Sequence, residues 1–293
     1  MATTQPLKDR LRQLKTEFDR RRKGKESLLK IIDETELAES VFNSNAIENS
    51  TLTLKETEKI LLDREVSRNV SVREVFEAKN LGRVMEYIEK TAAGSQLNEE
   101  RILLLHGMLM GNIDDGIAGK FRKRGQYVRV GPHIAPAPEH VQSMVEALLL
   151  EYASSQETYF ADAIAAFHLE FETIHPFCDG NGRIGRVLMN EQLLRLGFPL
   201  IIIRDKEKRK YYDAFTEYRD SKKKRRAGME HIVTLALMES LQKRIAYLQG
   251  FSIVTLADFA KTGKKSVHTL LNAAHRQTIP AFREKGVWKI GIP

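Results

Sequence analysis

Apolar residues recur at helical spacing along most of the 293-residue chain, and the breaks in that rhythm mark where the chemistry sits. Leu7, Leu11, Leu14 and Phe18 define one face of a first helix, and Leu28, Ile31, Ile32 and Val41 suggest a second. Thr53 with Glu56, and Ser71 with Glu74, have the spacing of capping boxes and open two more. The second of these carries a core stripe of Val75, Ala78, Leu81, Met85 and Ile88 and is expected to end by Gly94. Asn98 caps another helix, with Ile102, Leu105 and Leu109 inward and His106 read as a packed polar residue. Helices are expected at 139 to 153 and 160 to 174, then after the break at 175–180, from Arg209 onward, and from Met229 through Ile245.

Two stretches lose the helical period. Residues 111–138 hold Tyr127-Val128-Arg129-Val130-Gly131 with β-branched alternation and then His133-Ile134 before prolines, which predicts a short hairpin and a stiff turn. Near the C-terminus, Thr255 caps a short helix, Thr262-Gly263 reads as a turn, and 264–276 as a second helix. Residues 279–282 and 287–290 then flank an Arg-Glu-Lys-Gly turn. Helix, turn, helix, hairpin resembles a winged helix-turn-helix, with Lys264, Lys265, Ser266, His268, Asn272 and His275 on its outer face.

The break between the sixth and seventh long helical patterns is the most loaded with chemistry: His175-Pro176-Phe177-Cys178-Asp179-Gly180-Asn181-Gly182-Arg183-Ile184-Gly185-Arg186. Gly180, Asn181 and Gly182 tolerate positive φ, so their N–H groups are able to converge on one concavity at the start of the next helix, where the dipole favours an anion. Arg183 and Arg186, three residues apart on the first turn, suit phosphate oxygens. Asp179 is a hard-oxygen ligand of the kind Mg²⁺ takes when it also bridges phosphates. His175 is the group titrating near neutrality and the candidate general base. Cys178, close to a helix N-terminus, is expected to have a lowered pKa.

Composition narrows the setting. With 42% hydrophobic and 29% charged residues and no long apolar run, the chain reads as globular, with no membrane partner. No apolar stretch follows Met1, so no secretion signal is expected; a single cysteine forbids an internal disulfide and suits a reducing cytoplasm. The net charge of +8 favours polyanionic partners only weakly.

The motif His-x-Phe-x-Asp-Gly-Asn-Gly-Arg-x-x-Arg at 175–186 resembles the signature of the Fic (filamentation-induced by cAMP) family at every defined position. The resemblance implies a mainly α fold, a helical core with a small hairpin flap, and transfer of AMP from ATP to a Ser, Thr or Tyr hydroxyl of a target protein. By that pattern His175 takes the hydroxyl proton, Asp179 holds Mg²⁺, and residues 180–186 (Gly180, Asn181, Gly182, Arg183, Ile184, Gly185 and Arg186) surround the phosphates. Relatives that phosphorylate carry a bulkier residue at the second glycine, so Gly182 implies nucleotidyl transfer. The hairpin becomes a flap whose Val130, Gly131, Pro132 and His133 border ATP and whose edge pairs with the target backbone. Tyr212 is placed near adenine, while the asparagine that relatives carry seven residues later is Arg219 here.

Residues 44–49, Ser44-Asn45-Ala46-Ile47-Glu48-Asn49, read alone as a polar turn with an apolar peg. Beside the signature they match the family's inhibitory pattern Ser/Thr-x-x-x-Glu-Gly/Asn, which assigns Ser44, Glu48 and Asn49 to inhibition and pairs Glu48 with Arg186. The implied organisation is an inhibitory N-terminal region at 1–95, a catalytic core at 96–226, and a linking helix with a winged helix at 227–293. Two other functions fit the same residues: a DNA-binding regulator whose nucleotide site only senses ATP, and an enzyme that removes AMP using Glu48. A homodimer and, through the winged helix, DNA are candidate partners.

Overall fold

The computed structural model describes all residues except 1, 2, 64, 67, 68, 156, 264 and 265. Helices α1 (Gln5–Arg22), α2 (Glu26–Ile47), α3 (Leu54–Glu58), α4 (Val72–Thr91) and α5 (Glu99–Met110) lead to a two-stranded hairpin, β1 (Arg129–Val130) and β2 (His133–Ile134). Then follow α6 (Val141–Ser154), α7 (Phe160–Ile174), α8 (Asn181–Arg195), α9 (Lys208–Asp220) and α10 (Ala227–Leu248). The chain ends with β3 (Ser252–Thr255), α11 (Leu256–Gly263), α12 (Val267–His275), β4 (Ala281–Glu284) and β5 (Val287–Ile292). No described helix is long and apolar enough to cross a membrane.

Helices α7 and α8 are buried along most of their length, the state expected of helices whose apolar residues are not confined to one stripe. On one side, Ile164, Leu169, Met189 and Leu193 join Leu11, Phe18, Tyr211, Phe215, Val233 and Leu237. On the other, Phe167, Phe171, Ile184 and Leu188 meet Val41, Leu81, Ile88, Ile102 and Leu105. The polar residues that α8 carries inward all have work. Asn190 bonds both the amide and the carbonyl of Ile201 (2.8 and 3.1 Å), and Glu191 accepts from Arg101 at 2.7 Å. Helix α10, expected as a linker, packs against α1, α7 and α9 and is part of this core.

The C-terminal unit has its own small core of Leu256, Ala260, Leu270, Ala274, Ala281 and Ile290. Its sheet runs β3-β5-β4, all antiparallel, with Ile253 opposite Gly291 and Arg283 opposite Trp288. The β4–β5 turn is the two residues Lys285 and Gly286, both at positive φ (50° and 77°), shorter than the four-residue turn expected. Strand β3 was not anticipated; four residues with β-branched Ile253, Val254 and Thr255 give too short a period to read. Thr255 does cap α11, its Oγ1 accepting from the Asp258 N–H at 3.1 Å.

Ion pairs fasten this unit to the helices. Arg283 donates to Glu239 of α10 at 2.6 Å, Arg204 bridges Glu239 (3.1 Å) and Glu39 of α2, and the Gly286 N–H reaches Glu39 at 3.0 Å. Burial would raise the pKa of Glu239, but Arg283 and Arg204 hold it below the usual range. Removing one partner from such a buried set is costly because it strands a charge.

Residues 44 to 47, read from sequence as a turn, are the last turn of α2, and the chain leaves the helix at Asn49 with φ 67°. A left-handed residue just past a helix end explains why Gly or Asn suits that place.

Candidate functional site

The site is built where α7 stops and α8 begins. His175 ends α7 in a left-handed conformation (φ 51°, ψ 62°), rare for a residue with a Cβ, and Gly180 precedes α8 at φ 78°. The four residues between them are pinned at several points. Phe177 is fully buried and stacks on His106, ring centroids 3.6 Å apart. His106 accepts the Gly119 N–H at Nδ1 (3.0 Å), which leaves its Nε2 proton for the Asp179 carbonyl at 3.0 Å. Burial pushes His106 down to about 4, so it stays neutral in this role.

Asn181 adds a clamp across the turn: its Oδ1 takes the Phe177 N–H and its Nδ2 donates to the Phe177 carbonyl, both at 2.9 Å. Neither Asn181 nor Gly182 has the positive φ expected of it; both are helical. Asn181 therefore offers a ligand only its backbone, and the glycine at 182 has a different cause. A Cβ there would stand 2.9 Å from the Glu48 carboxyl carbon and overlap its Oε1. The first-turn N–H groups of residues 181–183 open α8 beside this place, where a helix has no intrahelical acceptors for them.

Arg186 is fully engaged. Its Nε donates to Ser44 Oγ (2.9 Å), Nη2 to the Ser44 carbonyl (2.8 Å) and Glu48 Oε1 (2.9 Å), and Nη1 to the Tyr211 hydroxyl (3.4 Å). Arg183 turns the other way, to Glu77 Oε1 (3.1 Å) and Asp179 Oδ1 (3.2 Å), and Asp179 Oδ2 pairs with Arg73. Burial alone would raise Asp179, yet Arg183 and Arg73 keep its carboxyl below the usual range. A polar cleft of about 360 Å³ opens beside these groups, lined by Glu48, Arg73, Asp179, Gly180 and Arg183 among others.

On its inner face α8 presses against α7. Ile184 is wholly within the apolar core, so its side chain does not reach the cleft. A Cβ on Gly185 would overlap Glu172 Oε1 and stand 2.9 Å from His168 Cε1. Both residues thus belong to packing rather than to the cleft lining. Burial, reinforced by Glu48, pushes the Glu172 carboxyl up to about 8. Its Oε2 lies 3.7 Å from His175 Nδ1, and burial lowers His175 to about 4. With Nδ1 toward Glu172, Nε2 is the nitrogen left for a substrate proton.

The hairpin stands beside this imidazole. His133 Nε2 meets the Thr173 carbonyl at 3.0 Å, and Val130 and His133 pair across the Gly131-Pro132 turn. Arg122, buried and unforeseen, ties the hairpin base to the left-handed turn: it donates to the carbonyls of His175 (2.8 Å), Pro136 (2.9 Å), Ile174 (3.1 Å) and Gln126 (3.2 Å). Tyr212, expected near adenine, gives its hydroxyl proton to the Ile47 carbonyl at 2.8 Å, at the end of α2. Arg219 lies over the Phe215 ring, 5.9 Å from its centroid.

Further residues had no readable signal. Arg73 and Glu77 sit in the first turns of α4 and look like ordinary helix surface, and Glu172 looks like a variable position before the motif. Tyr211 was visible only as half of a tyrosine pair. Cys178 departs from expectation, since burial raises its thiol. In the C-terminal unit Lys264 and Lys265 lie outside the described residues, and His268 and Asn272 are exposed, 3.0 Å apart. His275 is not free on an outer face; it meets Trp288 edge-on and Glu207 at 3.4 Å.

Asp179 lines the polar cleft together with Glu48, Glu74 and Glu77, and among the described residues no group of three or more His, Cys, Asp or Glu is placed to hold a metal. The Asp179 carboxylate, on the turn that opens α8, is a hard-oxygen ligand of the kind that fits Mg²⁺, which takes few protein ligands beside phosphates and water.

Comparison with known proteins agrees with this architecture. Residues 96–193 match the Fic/DOC family model. Protein adenylyltransferase Fic of Drosophila willistoni is 34% identical over 177 residues, covering 59% of this chain and 35% of that protein. The Aedes aegypti protein of the same name is 32% identical over 189 residues, 63% of this chain and 38% of that one. This chain thus spans little more than a third of these relatives. A Fic domain containing signaling protein from Bacteroides thetaiotaomicron superposes with a TM-score of 0.73 at 26% identity, over 83% of this chain and 97% of that one. A Fic family protein from Desulfovibrio desulfuricans shares the fold over 99% of this chain and 97% of its own, with a TM-score of 0.67 at 21% identity. Residues 96–193 of this chain are a Fic domain.

Proposed function

We propose that this chain is a protein adenylyltransferase held in check by its own second helix. His175 Nε2 takes the proton of a target Ser, Thr or Tyr hydroxyl, the oxygen attacks the α-phosphorus of ATP, and the bond to the bridging oxygen breaks to release pyrophosphate. The low pKa of His175 keeps the ring neutral and able to accept that proton at pH 7. The amides that open α8, with Arg186, supply fixed positive potential to the phosphates, which is where phosphoryl-type transfer gains most. Asp179 would hold Mg²⁺, whose charge offsets that of the triphosphate. The hairpin edge, with exposed Tyr127 and Ile134, is read as the strand on which a target segment docks.

One observation carries the inhibitory half: the Glu48 carboxylate lies against Gly182 while holding Arg186 at 2.9 Å. A carboxylate there repels the triphosphate and takes the cation meant for it. Ser44 and Tyr212 hold the helix end in register, through Arg186 Nε and the Ile47 carbonyl. The C-terminal unit, β3 to β5, is read as an accessory module of the winged helix-turn-helix type.

The reaction type is tested with ATP labelled at either end. In the Glu48→Gly variant, label at the α-phosphate is expected to appear on protein and label at the γ-phosphate is not. The reverse pattern would mean phosphorylation, and neither label would mean a site that only binds nucleotide.

A further inference from the structure

A second concavity, independent of the cleft at Asp179, opens between α9, α10 and the C-terminal unit and encloses about 200 Å³. Part of its lining is apolar, including Ile232 and Leu235 of α10 and Trp288 of β5. Two buried polar atoms on its lining have no protein partner. Gln277 is 1% exposed and spends its Nε2 on the carbonyls of Ala274 and Ala281, which leaves Oε1 unpaired; Arg204, 7% exposed, leaves Nε unpaired. Stranding such an atom costs about 1–3 kcal/mol, so the protein alone does not satisfy this lining.

The charge at the rim has a definite sign. The lining carboxylates are spent: Glu239 on Arg283 and Arg204 (2.6 and 3.1 Å), Glu207 on Arg283 and His275 (3.3 and 3.4 Å). Lys210, His231 and Arg276 also line the space, and none of them has a carboxylate within 4.0 Å among the described residues. Burial depresses His231 and the nearby Lys210 adds to it, a repulsion that an anion between them would relieve. The surplus is therefore cationic, beside the apolar part of the lining.

We propose that this groove is a binding site for a small amphipathic carboxylate. Its apolar body lies against Ile232, Leu235 and Trp288. Its carboxylate is held by Lys210 and Arg276, with His231 as a further donor. The site connects to the rest of the molecule through two of its own lining residues: Tyr211 bonds Arg186, and Arg204 bonds Glu39 on α2.

Trp288 is the single tryptophan of the chain, so its emission reports this groove and nothing else. The test is a titration of the full chain, excited where only tryptophan absorbs, with 3-phenylpropanoate and with its neutral amide. A saturable change is expected with the acid. Loss of a charge-assisted contact is worth about 1.5–3 kcal/mol, so binding of the amide, and of the acid to Lys210→Ala/Arg276→Ala, should be at least about tenfold weaker. Both replaced residues are exposed, and an unchanged unfolding midpoint shows that the double variant folds. No saturable change with the acid, equal affinity for acid and amide, or unaltered binding in the double variant each overturns the assignment.

Discussion

Arg186 and Glu48 meet at 2.9 Å across the start of α8, one guanidinium and one carboxylate brought together from 138 residues apart. The pair is not held by charge alone. Ser44, one helical turn before Glu48, takes two further Arg186 protons at 2.9 and 2.8 Å, through its hydroxyl and its carbonyl. Ser44→Ala deletes only the hydroxyl contact and leaves the Ser44 carbonyl and Glu48 on the guanidinium, so the net loss is about 1–2 kcal/mol, at the low end for a bond to a charged group. Basal AMP transfer is expected to rise by about 5- to 30-fold, short of the effect of removing Glu48. Initial rates with labelled ATP check this; a rate equal to wild type would mean that Ser44 does not support the inhibitory contact.

Gly182 has two neighbours that a methyl group would disturb, Glu48 and the Arg186 Nη1 atom at 3.2 Å from the Cβ position. Deleting Glu48 removes only the first. Gly182→Ala in the Glu48→Gly background is therefore expected to lower transfer, by the 5- to 150-fold that corresponds to about 1–3 kcal/mol of overpacking. Equal rates with and without the methyl group would show that nothing approaches residue 182 closely during the reaction.

Arg122 gathers four backbone carbonyls, from the hairpin base and from the left-handed turn at His175. Arg122→Ala strands those acceptors and is expected to cost about 2–4 kcal/mol of stability. Hydrogen exchange should then speed up across residues 126–136 and 174–177 ahead of the helices. Uniform acceleration over the whole chain would mean that Arg122 acts on global stability and not as a local tie.

The buried titratable groups make stability depend on pH with a sign fixed by their shifts. Burial lowers His106 and His175 to about 4 and His168 to about 3, from an ordinary 6.5. Between those values the unfolded chain binds more protons, so stability is lost as pH falls below about 6.5, by up to about 1.4 kcal/mol per pH unit for each histidine. Glu172, raised to about 8, works the other way: its contribution is full below pH 4.5 and is lost as pH rises through 8. Three histidines outweigh one glutamate between pH 4.5 and 6.5. Calorimetric unfolding at pH 5.5 in buffers of different ionisation enthalpy should show net proton uptake; net release contradicts the assignment.

The helices were legible because their signals are local. Capping at Thr53, Ser71 and Asn98 and the stripes on α1, α4 and α5 each lie within a few turns of chain. The motif at 175–186 was legible as chemistry for the same reason, since its spacing alone places an imidazole, a carboxylate and two cations together. Contacts across the chain were not. Arg122, Arg73 and Glu172 acquire their roles from carbonyls, carboxylates and rings that lie far away in sequence or one turn below the surface. Asn181 and Gly182 show a subtler failure. Both were expected to serve the loop by adopting positive φ, whereas one clamps Phe177 with its side chain and the other makes room for Glu48. The bond from the Tyr212 hydroxyl to the end of α2 was equally out of reach, because it depends on where an N-terminal helix docks.

The inhibitory role of Glu48 is tested most directly by the initial rate of transfer from α-labelled ATP with Mg²⁺ in three proteins: wild type, Glu48→Gly and Glu48→Gly/His175→Ala. Freeing a charged partner worth about 1.5–3 kcal/mol should raise the rate of the single variant about 10- to 150-fold. The double variant should return it to background. A single variant no faster than wild type, or a double variant as fast as the single one, would contradict the account.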